Sequence, residues 1–62
     1  MITKVYFILE TEEDYNEVID TIINSFPCFI DEEPIEFNYV EVTIKMREED
    51  VASIEKILAK IV

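Results

Sequence analysis

The sequence predicts an α+β fold, a two-layer sandwich in the order β-α-β-β-α. Its sheet would be three-stranded and antiparallel, with two helices on one face, a ferredoxin-like arrangement lacking the last strand. Three observations lead there. Two runs of β-branched and aromatic residues occupy 2–9 and 35–46, two stretches show helical apolar spacing, and a strand–helix pattern recurs at low identity. Laid on 44–62 at an offset of 36, residues 8–26 align Ile8 with Ile44 and "EED" with "EED". The same offset pairs Tyr15 with Val51, Val18 with Ile54, Ile22 with Leu58 and Phe26 with Val62, as two strand–helix units would.

The first element, "ITKVYFIL" (2–9), has the composition of a strand. Thr11 then stands at an N-cap position, with Asp14 as a short capping-box acid. Tyr15, Val18, Ile19, Ile22, Ile23 and Phe26 recur at the spacing of an amphipathic helix, which Pro27 ends. "PCFI" reads as a short strand and "DEEP" (31–34) as its turn. "IEFNYVEVTIKM" (35–46) reads as one long central strand, or as a strand bulged near Asn38. A second helix over about 48–61 carries Val51, Ile54, Ile57, Leu58 and Ile61 as its apolar stripe. Both "EED" triplets fall where a first helical turn gains from the helix dipole.

This layout makes a statement about surfaces. With Val5, Phe7, Leu9, Val40, Val42 and Ile44 expected toward the helices, Tyr6, Ile8, Ile35, Phe37 and Tyr39 are expected to face away. An open, half-apolar sheet face and an unpaired first strand both invite association. The expectation is a homodimer through that face or through the first strand.

The chain of 62 residues is expected to form a single domain, 1–62, near the lower size limit for independent folding. Half the residues are hydrophobic, which argues against disorder. The single cysteine, Cys28, has no internal partner and points to a reducing, cytoplasmic setting. Its neighbours Pro27, Phe29 and Ile30 suit a core thiol better than a reactive one. The segment "MITKVYFILE" resembles neither a signal peptide nor a membrane span.

With no histidine, Ser-His-Asp and Cys-His systems and His-ligated metals are excluded. With no glycine, so are Gly-rich phosphate cradles. "DEEP" lacks the ligand spacing of a calcium loop. No catalytic, cofactor or metal site is expected, and an enzyme is not.

Charge is the strongest signal. Fifteen acids against five bases give a net charge of −10. Residues 1–41 hold eleven of the acids and one base, Lys4, whereas residues 42–62 hold four of each. Such a field repels nucleic acid and anionic membrane and attracts basic proteins. Tyr6, Phe37 and Tyr39 could suggest a nucleic-acid stacking platform, but those platforms sit in a basic field.

On the first helix Glu13, Glu17 and Asp20 line up opposite the apolar stripe, spanning about 10 Å. Phosphates along one DNA strand advance about 3.4 Å per nucleotide, a comparable scale. No lysine at i+4 offsets these acids, whereas the second helix mixes Glu55 with Lys56 and Lys60. In size and charge the chain resembles phage-encoded DNA-mimic inhibitors. That resemblance implies an interaction module occupying the basic nucleic-acid-binding surface of another protein. The candidate partner-binding acids are Glu13, Glu17 and Asp20, flanked by Glu10, Asp31, Glu32 and Glu33. The alternatives are a ferredoxin-like regulatory domain with a small ligand at a dimer interface, and a structural assembly subunit with no charge-specific role.

Overall fold

The computed structural model describes residues 1–11 and 13–61. The element order is β1 (Ile2–Leu9), α1 (Tyr15–Ser25), β2 (Cys28–Pro34), β3 (Tyr39–Met46) and α2 (Val51–Leu58), with short 3-10 turns at Glu36–Asn38 and Glu48–Asp50. The sheet order is β1-β3-β2 and both pairings are antiparallel, so the third strand is central and the other two are edges. This is the predicted α+β architecture, three of the four strands of a ferredoxin-like sheet.

Strand alternation and burial divide the sheet's two faces cleanly. Val40, Val42, Ile44 and Met46 of β3 are at most 3% exposed and form the floor of the core. Tyr15, Val18, Ile19 and Ile22 of α1 close over them, together with Ile54 and Leu58 of α2 and Ile61 just beyond it. Both helices therefore cover one face. Ile23, expected in the first apolar stripe, is instead exposed.

One strand is turned over relative to the expectation. In β1 it is Tyr6 and Ile8 that face the helices, Ile8 with 1% of its surface exposed, while Val5 and Phe7 face away at 47% and 59%. The pairing explains why. Ile8 lies opposite Val40 and Tyr6 opposite Val42, and directly opposed residues share a face. Assigning the most apolar triplet, Val5, Phe7 and Leu9, to the core overlooked this parity.

The chain between β2 and β3 is also placed differently. "DEEP" is the second half of β2, with Asp31 opposite Thr43, Glu32 opposite Val42, Glu33 opposite Glu41 and Pro34 opposite Val40. The reversal occurs at 35–38, so β3 begins at Tyr39, four residues later than expected. There Phe37 and Asn38 take positive φ, 57° and 65°, a left-handed region that side chains with a Cβ occupy at a cost. A glycine-free chain has only residues of that kind to turn with.

The helix starts are displaced as well. The first helix begins at Tyr15 and the second at Val51, with Asp14 and Asp50 as N-caps, neither making a side-chain cap bond. Thr11 is therefore outside the helix. Glu13 and Asp14 of the first triplet precede α1, and the second triplet is a 3-10 lead-in to α2, rather than filling a first α-helical turn. The first triplet's Glu12 and the Phe26–Val62 alignment lie outside the described residues. Among the described residues no helix is long and apolar enough to cross a membrane.

Candidate functional site

The acids of this chain have two different situations. All three ion pairs among the described residues use acids from 42–62. Lys4 Nζ lies 3.4 Å from Glu55 Oε2, Arg47 Nη1 lies 3.2 Å from Glu49 Oε1, and Arg47 Nε lies 2.7 Å from Asp50 Oδ2. Asp50 is also the one buried charged residue among the described residues, so the shortest of these bonds supports a carboxylate that water reaches poorly.

The predicted partner-binding acids do not form one surface. Glu17 and Asp20 are exposed on α1, and Glu13 is exposed in the turn before it. Lys60, beyond α2, lines the same groove as Asp14 and Glu17. A base thus stands nearer the first helix than the linear sequence suggested, with no ion pair formed there. Asp31 and Glu33 lie on the opposite side of the molecule, on the open sheet face next to Glu41. Glu10 directly follows β1, and its N–H donates to the Asn38 carbonyl at 2.8 Å.

Glu32 has a structural task. It points to the helix side of β2 and accepts a hydrogen bond from the Tyr15 hydroxyl at the start of α1. Desolvation and then that carboxylate push the Tyr15 hydroxyl pKa well above its ordinary value. Tyr6 repeats the device across the sheet, donating to Glu55 Oε2 at 2.9 Å. Partial burial, followed by the Glu55 bond, raises its pKa to about 12. These two tyrosine–carboxylate bonds tie β2 to α1 and β1 to α2, so Glu32 and Glu55 act within the fold.

The hairpin from β2 to β3 gathers the surface that sequence reading assigned piecemeal. Asp31, Glu33, Glu36 and Glu41 are carried on it. So are Ile35, Phe37 and Tyr39, exposed at 41%, 84% and 42%. Of the five residues expected at a dimer face, these three are accessible. Ile8 is enclosed in the core and Tyr6 is held by α2. Phe29, 70% exposed on the open face beside Lys45, was missed because its neighbours made "PCFI" look like core.

Glu33 and Glu41 are direct cross-strand partners. Like charges so placed oppose pairing by a few tenths of a kcal/mol. Among the described residues no three His, Cys, Asp or Glu side chains are grouped as metal ligands would be. Cys28 is partly buried, its thiol 3.9 Å from the Ile22 carbonyl. Desolvation, then Asp50, raises its pKa, which suppresses the thiolate.

Compared with models of protein families, with curated proteins and with solved structures, this chain matches none.

Proposed function

We propose that the protein is a small acidic interaction module that occupies a basic surface of another protein. In its most concrete form that surface is one that otherwise holds nucleic-acid phosphates, as with a phage-type mimic inhibitor. The supporting observation is the division of labour among the acids. Three of the four acids of 42–62, Glu49, Asp50 and Glu55, enter ion pairs, while among the described residues Glu13, Glu17, Asp20, Asp31, Glu33 and Glu41 enter none, and Glu33 stands directly against Glu41. A fold gains nothing from that opposition, whereas a cationic partner would relieve it.

The hairpin surface adds apolar anchors to the charge. Exposed aromatics beside a charged rim are the usual anatomy of a protein contact. The partner is therefore a basic protein, met in the cytoplasm, and neither nucleic acid nor membrane.

Two charge-reversed variants test this, Glu17→Lys with Asp20→Lys on α1, and Asp31→Lys with Glu33→Lys on the hairpin. Wild-type protein immobilised on resin should capture basic proteins at low salt and release them at high salt. Capture should fall with either double substitution while circular dichroism stays unchanged. Capture indifferent to both swaps and to salt would falsify the reading.

A further inference from the structure

The two edges of the sheet are built differently, and the backbone pattern shows how. Glu10 N–H donates to Asn38 O, and Ile35 N–H donates to Tyr39 O. In an antiparallel ladder, residues whose main chain points at the neighbouring strand alternate with residues whose main chain points away. Carried along the register, this turns Ile2, Lys4, Tyr6 and Ile8 toward β3 and leaves the N–H and C=O groups of Thr3, Val5, Phe7 and Leu9 pointing outward. On the other edge it is Cys28, Ile30, Glu32 and Pro34 that point outward.

The β2 edge is protected. Pro34 has no N–H to offer, and Asp31, Glu32 and Glu33 surround it with negative charge, both recognised ways of blocking strand addition. The β1 edge has neither device. Residues 2–9 contain no acid and no proline, their one charge is Lys4, and that ammonium is already directed at Glu55. In a chain of net charge −10 this strand is exceptional.

We infer that β1 is a self-association edge, where two copies pair antiparallel about a two-fold axis and fuse their sheets into one. Such pairing is isologous, since each strand offers the other the same groups. Outward-facing residues must meet outward-facing residues, and of the registers this allows, the two that overlap most of Ile2–Leu9 set Val5 opposite the partner's Val5 or opposite the partner's Phe7. Neither register sets Lys4 against the partner's Lys4.

Charge favours this occupant. A cleft lined by Tyr6, Glu55, Leu58 and Ala59 shows that α2 is the helix beside β1. The chain there carries Lys56 and Lys60 against Glu55. A dimer joined at β1 brings the least acidic sides of the two copies together. It leaves the acid-rich α1 and the β2–β3 hairpin at the two far ends, both available to a partner.

The test reads the two edges in one sample. In amide hydrogen exchange at millimolar concentration, the Thr3, Val5, Phe7 and Leu9 amides should be protected, and the outward Cys28, Ile30 and Glu32 amides should exchange fast. Sedimentation should give twice the 7.3 kDa chain mass. Val5→Pro removes an N–H that β3 does not use, so it should yield a folded monomer. Should proline disturb the strand, Val5→Lys together with Phe7→Lys places charge on the same edge and should also dissociate the dimer. A chain that sediments as a monomer throughout this range overturns the inference. So does a dimer that survives these substitutions with its β1 amides exchanging fast, because its contact then lies elsewhere.

Discussion

The unit β1–α1 and the unit β3–α2 use the same plan to different ends. In both, a strand with even-numbered residues toward the core leads through an aspartate N-cap into a helix that packs on the same face of the sheet. In the second unit the strand is central and paired on both sides, and Glu49, Asp50 and Glu55 around the helix pair with Lys4 and Arg47. In the first, the strand is an edge, and Glu17 and Asp20 enter no ion pair. The β2–β3 hairpin adds further unpaired acids. One unit spends its charges on the fold, and the other displays them. The difference locates function by what the fold does not use.

Truncation of β1 should break this comparison most forcefully if it is wrong. Ile8→Ala should lose about 2–5 kcal/mol in urea denaturation, as a buried large-to-small change does. Phe7→Ala, on the open face, should stay within about 0.5 kcal/mol of wild type. The reverse ranking would mean that β1 presents its other face to the helices.

Alkaline pH tests the tyrosine–carboxylate ties of both units together. Tyr6 and Tyr15 have pKa values raised in the folded chain above the ordinary value of 10.0. Their contribution is complete below pH 10, because both states then hold the phenolic proton. It declines as pH rises above that, since the unfolded chain gives up the proton first. Thermal stability should therefore fall from about pH 10 upward, and Tyr6→Phe with Tyr15→Phe should flatten the decline.

Charge reversal gives a smaller effect of opposite sign in the two regions. Glu33→Lys turns a like-charge cross-strand pair into an attractive one and should stabilise by about 0.2–1 kcal/mol. Glu55→Lys removes the acceptor of Lys4 and Tyr6 and should destabilise. If both were equally harmful, the hairpin acids would belong to the fold after all.

The smallest change lies at the hairpin tip. Phe37→Gly should stabilise by about 0.5 kcal/mol, as relief of the left-handed φ exceeds the entropy cost of glycine. Its effect on partner capture measures whether the exposed ring is an anchor.

Much of this architecture was legible because helical and strand periodicities survive in isolation. Val40, Val42, Ile44 and Met46 alternate without interruption, and both helical stripes are long. Burial in β1 was misassigned because every residue from Val5 to Leu9 is apolar, so composition could not tell the two faces apart. The internal repeat contained the answer. An even offset aligns Ile8 with Ile44, and a core position in one unit implies a core position in the other. The residues of "DEEP" favour a turn, and pairing with β3 overrides that preference. The site was legible only as charge. Which acids converge, and that Glu32 is held by Tyr15, depend on contacts between residues distant in sequence.

Competition with nucleic acid tests the central claim most directly. A basic protein captured by wild-type chain is titrated with duplex DNA, and the complex is followed by sedimentation. The account predicts mutual exclusion, with DNA displacing this protein in proportion to its occupancy. A stable ternary complex holding the partner, DNA and this protein together would contradict it.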